Sequence, residues 1–305
     1  MAVRASTLDR RFTERGGRER QRRADLLPYA LLLPSIALIV AIVLNPLATG
    51  IYYSLNEGSL LRLDGFVGLA NYRNLLGMPD FRHAMKFSAL FAACSVAGSY
   101  LMGLGLALLL NQEIPGRAFF RVALLLPWVI PSIVSIASWR WLIADQNGLV
   151  NQALGLVDVG PIFFLSTGDS AMFSVIMIKI WRSFPFMMVS CLAALQSIDR
   201  DIYEAARIDG AGRWQSFRDI TMPQIFGISV VMWILMTIWS VNDFETPWLL
   251  TQGGPSNATE NLIVLAYKYT FTRNDVGTGS AIAVVSMIIL MTLALLLLRK
   301  QRDEQ

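Results

Sequence analysis

The sequence has one histidine, His83, and two cysteines, Cys94 and Cys191, in 305 residues. A single histidine excludes a histidine-based metal cluster and a pair of histidine acid–base groups. Two cysteines inside apolar stretches are too few for a disulfide framework and lack metal-ligand spacing. They read as small core residues. Charge is scarce as well: 16% of the residues are charged, where soluble chains have about 25%. There are four lysines, and the residues before them are Met85, Ile178, Tyr267 and Arg299. The Gly-Lys-[Ser/Thr] of a P-loop is therefore absent, and with it the lysine that reaches nucleotide phosphates. Work driven by ATP requires another chain.

Apolar residues fill the space, at 54% of the chain and a mean hydropathy of +0.50. That composition excludes a disordered chain and points to an integral membrane protein. A bilayer core needs about 20 apolar residues per helix. Six stretches qualify: Pro28–Tyr53, Ala84–Leu110, Val122–Ile143, Ala171–Ile198, Pro223–Asp243 and Thr278–Leu298. The first and third contain Pro34 and Pro46, and Pro127 and Pro131, which predict kinks. The first stretch is longer than the ~7–15 residues of a signal-peptide core, so it reads as a retained span. No connection exceeds about 35 residues, below the size of an independent domain. The expected organisation is an all-α membrane bundle at 26–300 between a basic tail at 1–25 and a short tail at 301–305.

The net charge is +4 with pI about 9.2, but its distribution argues against nucleic acid. Eight arginines lie in the first 23 residues, ahead of any apolar span, where they act as a topogenic signal. With six spans, both tails and the loops at 111–121 and 199–222 share one side and carry seventeen basic residues, against five on the other. The positive-inside rule places both termini in the cytoplasm.

The most informative stretch is the cytoplasmic segment Asp201 to Pro223, DIYEAARIDGAGRWQSFRDITMP. Strong helix formers surround Glu204, Ala205 and Ala206. Gly210 and Gly212 permit a sharp turn. Trp214, Phe217 and Ile220 then give a second short helix one apolar stripe, and Pro223 suits the first turn of the next span. Such a pair is built to be gripped by a partner.

These residues resemble the EAA-x3-G-x9-I-x-L-P loop of ABC importer permeases that work with a solute-binding protein. Glu204, Ala205, Ala206, Gly210, Ile220 and Pro223 are in register, and Met222 stands in place of the usual Leu. Gly65–Tyr72 (GFVGLANY) is similar to the GF-x-GL-x-NY segment of carbohydrate permeases. Thr251-Gln252-Gly253-Gly254-Pro255 with Thr259 resembles the T-x-GGP-x3-T segment of MalF-like subunits.

The resemblance implies a six-span permease that pairs with a second, homologous permease and two copies of an ATPase. An extracytoplasmic binding protein delivers the sugar, a di- or oligosaccharide with trehalose as the first expectation, and membrane lipid surrounds the assembly. This chain holds no cofactor; ATP and magnesium belong to the ATPase. Glu204, Ala205, Ala206, Asp209, Gly210, Trp214 and Phe217 are expected at the ATPase contact. Trp214 and Phe217 equally fit packing beneath the permease's own bundle. Trp181, Arg182, Trp239, Ser240, Asn242 and Asp243 are candidates for the sugar path, since aromatic faces and hydrogen-bonding groups hold sugars. Structural roles compete, with Asp243 and Glu245 as partners for Lys179 and Arg182. Thr251, Gly253, Gly254 and Pro255 form either a binding-protein dock or a Gly-Pro turn. The rival from another class is an ion-coupled carrier using the intramembrane Lys179 and Arg182. It lacks the two related halves a carrier usually shows.

Overall fold

The computed structural model describes residues 31–303. The topogenic arginines of the 1–25 segment, the start of the first expected span and the last two residues of the 301–305 tail lie outside them. The chain divides into two compact units, Met1–Tyr52 and Tyr53–Gln305. Helix α1 (Leu31–Ser54), whose last two residues belong to the second unit, carries a widened π turn at Val40–Leu44. Asn45 N–H reaches back to the Val40 carbonyl, and the turn ends two residues before Pro46. An extra residue in the turn is one way a helix passes a ring that cannot donate a hydrogen bond.

The second unit opens on an antiparallel hairpin, β1 (Asn56–Gly58) with β2 (Leu63–Phe66), and the short helix α2 (Ala70–Gly77). The GFVGLANY segment is the brace of this corner. Asn71 is buried, and its Nδ2 donates to the carbonyls of Ser54 and Asn56 at 2.9 Å each. The Tyr72 hydroxyl shares a 2.6 Å bond with Ser54 Oγ.

Helices α3 (Pro79–Leu110) and α7 (Gly168–Gln196) are the central pair. Membrane helices gain little from hydrophobic burial against each other and associate by close packing, so small residues mark their contacts. Gly103 serves that end: a Cβ there would lie 2.6 Å from the Met187 Cβ and 2.7 Å from the Met188 nitrogen. Tyr100, Leu104, Met187, Cys191, Ile225 and Met236 fill the cluster around it. Pro185 sits within α7 without breaking it.

The third expected span is not one helix. It is α4 (Arg117–Val129) and α5 (Ser132–Leu142), bent by 91° at the break. Ile130 is extended, at φ −65° and ψ 131°, and so is Pro131. Proline disfavours helical geometry in the residue before it. Pro127 lies within α4 and does not interrupt it, so only Pro131 acts as a breaker. After α5 come α6 (Leu149–Gly155), then α7, then α8 (Arg200–Ile208).

The second half of the 199–223 loop also departs from the expectation of a separate short helix. Arg213–Ser216, a π turn at Phe217–Thr221 and Met222–Val241 run on as one helix, α9. Again the widened turn ends two residues before a proline, here Pro223. The chain then breaks at 242–244 and continues through α10 (Glu245–Thr251), α11 (Leu262–Tyr267) and α12 (Val276–Asp303).

Gly103→Val should force α3 and α7 apart. Overpacking of a tight core costs about 1–3 kcal/mol, read as a lower melting temperature of the detergent-purified chain. An unchanged melt would mean that the two helices do not meet at Gly103.

Candidate functional site

The loop end is built by backbone capping. Asp199 caps α8 by accepting the Asp201 N–H at 3.1 Å. Gly210 takes φ +82°, a left-handed value that favours glycine. Ala211 N–H then reaches the Ala206 carbonyl at 2.9 Å, and Gly210 N–H the Arg207 carbonyl at 3.1 Å. This is the Schellman closure of a helix end. The chain turns at once into α9. A side-chain tether fixes the angle, since the Tyr203 hydroxyl bonds Thr221 Oγ1 at 2.9 Å across the turn.

The sequence left Trp214 and Phe217 each two readings; the structure divides them. Phe217 packs against the central cluster, whereas Trp214 is 72% exposed and meets Phe217 at a tilt of 31°, ring centroids 5.5 Å apart. Glu204, Ala205 and Asp209 are exposed, and Ala206 is half-buried. Ile202 and Ile208 are exposed too, the latter 87%. Ile202, Ile208 and Trp214 thus add apolar side chains to the exposed surface of the loop, with Ile208 one turn beyond Glu204. Sequence reasoning missed the two isoleucines, although the i, i+3, i+6 spacing of Ile202, Ala205 and Ile208 carries the signal.

At the other end of α9 the break at 242–244 is fastened by charge. Lys179 Nζ of α7 lies 2.8 Å from Asp243 Oδ2, and both side chains are buried. The same carboxylate accepts the Thr246 N–H at 3.0 Å and its hydroxyl at 2.8 Å. Asn261 Nδ2 donates to the Asp243 carbonyl at 2.7 Å. One helical turn along α7, Arg182 donates to Thr246 Oγ1 at 3.1 Å and lies 3.6 Å from the Glu245 carboxylate, which is half exposed. A buried carboxylate keeps its charge only when so paired and hydrogen-bonded.

The six expected path residues fall on different faces. Trp239 and Asn242 are exposed near the end of α9, and Arg182 is half-buried on α7. Trp239 is 45% exposed and meets Phe186 edge-on, centroids 4.9 Å apart. Phe186 lies one turn beyond Arg182 and reaches Trp128 at 6.2 Å. Trp128, Phe186 and Trp239 form an aromatic strip that ends at the Arg182–Glu245 pair. Trp181, by contrast, packs edge-on against Trp139 in a separate apolar pocket of about 210 Å³. Ser240 is fully buried, with no hydrogen-bond partner for its hydroxyl. Asp243 is committed to Lys179. Trp128 and Phe186 are the strip residues that sequence reasoning missed; Phe186, four residues after Arg182, was within reach.

The 251–259 segment is a cross-braced turn. Thr251 and Thr259 share a hydroxyl bond of 2.6 Å, and Thr259 Oγ1 donates to the Gly254 carbonyl at 2.8 Å. Gly253 has φ +83°, and a Cβ on it would lie 3.1 Å from the Lys268 amine and 3.3 Å from Glu260 Cβ. Lys268 and the buried Glu260 form an ion pair directly beneath. Thr251, Gly253, Gly254 and Pro255 are turned to the shape of this segment, while Gln252 and Ser256 are its exposed members.

Residues 99–302, from the Gly103 crossing through the capped loop and the charged break to α12, match the family model of the binding-protein-dependent transport system inner membrane component. The chain belongs to that family. It is similar, at 33% identity over 90% of this chain and 94% of the relative, to the trehalose/maltose transport system permease protein MalF of Thermococcus litoralis. It is 37% identical, over 90% and 94%, to the inner membrane ABC transporter permease protein YcjO of Escherichia coli. The fold is shared with a chain of a bacterial ABC transporter involved in import of the acidic polysaccharide alginate. That match has a TM-score of 0.81 and covers 93% of this chain and 98% of that one, at 22% identity. Among the described residues no group of acidic, cysteine or histidine side chains is placed to hold a metal.

Lys179→Met should strand the buried Asp243 carboxylate, at a cost of about 3–5 kcal/mol. The double variant Lys179→Met/Asp243→Asn should melt at a higher temperature than the single one. Equal losses would mean that the pair is not what fastens the break.

Proposed function

We infer that this chain is one permease of an ATP-driven importer for a di- or oligosaccharide, trehalose or maltose being the first candidates. It would pair with a homologous permease and take its energy from a separate ATPase, with both termini in the cytoplasm. The observation that carries the reading is α9 itself. It runs unbroken at 213–241, about 43 Å at 1.5 Å per residue, from the exposed Trp214 to the aromatic strip at Trp239.

A two-state movement at one end of such a rod arrives at the other. Closure of ATPase subunits gripping Ile202, Glu204, Ile208 and Trp214 would shift the start of α9. The Schellman closure and the Tyr203–Thr221 bond hold α8 to it, so the loop moves as one body. At the far end Trp239 and Asn242 move with the helix, and Lys179 limits how far by holding Asp243. Sugars stack their apolar faces on aromatic rings and hydrogen-bond through their hydroxyls. Trp128, Phe186 and Trp239, with Asn242 and Arg182 beside them, offer both kinds of contact. The relatives named for trehalose, maltose and alginate support a saccharide cargo. The carrier alternative rests on Lys179 and Arg182, both of which are engaged in holding the break between α9 and α10.

Gentle solubilisation with a tag on this chain should recover an ATPase, a second permease and a sugar-binding protein. Recovery of the chain alone, in a detergent that preserves known complexes, would count against the importer. In the recovered complex, Glu204→Ala should leave the chain inserted while sugar uptake falls relative to ATP hydrolysed; normal uptake would remove Glu204 from the contact. Trp239→Ala should raise the sugar concentration for half-maximal uptake by about tenfold, the loss of roughly one aromatic contact. An unchanged value would take the strip out of the path.

A further inference from the structure

A second feature of α9 is away from the aromatic strip. It is a groove of about 850 Å³ between α3, α9 and α12. Its walls include Ala89, Ala93 and Ala97 of α3, Trp233 and Thr237 of α9, and Leu293 of α12. The alanines at every fourth position make a smooth channel along α3. Tyr100 forms its inner wall, held by a 2.8 Å bond to Ser229 Oγ and by edge-on packing with Trp233 at 5.1 Å. Tyr100 and Ser229 therefore satisfy each other, and the groove presents almost only carbon. A cavity of this kind inside a membrane does not fill with water.

Charge gathers at one end. Lys86 lies three residues before Ala89, and Arg82 one turn earlier, so both continue the same face of α3 beyond the groove. Each is exposed. Among the described residues neither has a carboxylate within ion-pair distance, although Arg273 and Asp80 nearby are paired at 3.7 Å. α3 carries no charged residue after Lys86, so the two cations lie at the depth where a span meets the headgroup layer. Basic side chains at that depth attract anionic headgroups.

From this pairing of an apolar channel with two unpaired cations at its mouth, we propose that the groove binds one anionic phospholipid. The headgroup phosphate sits between Arg82 and Lys86, and an acyl chain lies along Ala89, Ala93 and Ala97 against Trp233. The ligand wedges α9 against α3 and α12, so it bears on the same helix that links the loop to the strip. The site stands independently of which solute is carried.

The test uses the chain with the subunits that accompany it, in phosphatidylcholine nanodiscs containing phosphatidylglycerol with brominated tails. Bromine quenches nearby tryptophan, and the Trp233 contribution is the difference between the native chain and Trp233→Phe. That contribution should be quenched at low phosphatidylglycerol fractions and not by brominated phosphatidylcholine at the same fractions. In Arg82→Gln/Lys86→Gln, half-quenching should need about 30-fold more phosphatidylglycerol. Ala93→Phe should abolish the saturable quenching by filling the channel with both cations intact. Equal quenching by the two lipids, or no shift in the double variant, would overturn the proposal. A photo-crosslinking residue at position 97 gives a second readout. A product heavier by one phospholipid supports the site; a product joined to another protein helix would show that the groove is a subunit contact and overturn it.

Discussion

The bond between Lys179 and Asp243 is the constraint on which the architecture of the far end depends. A carboxylate and an ammonium are buried together where hydrocarbon would otherwise be expected, and neither tolerates that place alone. Their pairing fixes the position at which α9 stops. At the 242–244 break the Asp243 carbonyl accepts from Asn261 and the Asp243 carboxylate from the Thr246 N–H, and α10 departs in a direction that brings Arg182 to Glu245. The aromatic strip takes its place from the same fixture, because Trp239 is one turn before the break and Phe186 is two turns after Lys179.

The segments by which the chain resembles carbohydrate permeases turn out to be folding devices as much as contact surfaces. Asn71 and Tyr72 tie a hairpin corner to the residues before it. Gly253 lets a turn lie against Glu260 and Lys268, and Thr251 and Thr259 clasp each other. Gly210 closes a helix. A motif built from glycine, asparagine and threonine is one in which backbone geometry is the point, and its outward-facing neighbours are free to vary with the partner.

Much of this was legible in the residues. The capped loop was, because glycine spacing and helix propensity act locally. So was the membrane-spanning class, because composition alone decides it. The possible partners of Lys179 and Arg182 were nameable because few carboxylates lie at that depth. Two things were hidden for physical reasons. The first is which proline breaks a helix: Pro127, Pro185 and Pro223 are all carried within helices, and only Pro131 divides one, a difference set by packing and by the extra residue of a π turn. The second is rotational phase. A buried membrane helix is apolar all round, so periodicity does not say which side faces in. Ser240 and Trp239 therefore looked equivalent in sequence, although one is buried and the other exposed, and so did Trp181 and Phe186, although one meets Trp139 and the other Trp128 and Trp239.

The unbroken course of α9 carries a consequence for how such chains are able to diverge. Each residue in a helix advances its neighbours by about 100° of rotation. One residue gained or lost between Met222 and Trp239 would leave both ends intact and swing the aromatic strip a quarter-turn or more away from Phe186, with Asp243 carried away from Lys179. Substitutions along this stretch disturb one contact at a time; a change in its length disturbs the registration of the whole. The spacing from the capped loop to the charged break should thus be far less free to vary than the residues that occupy it.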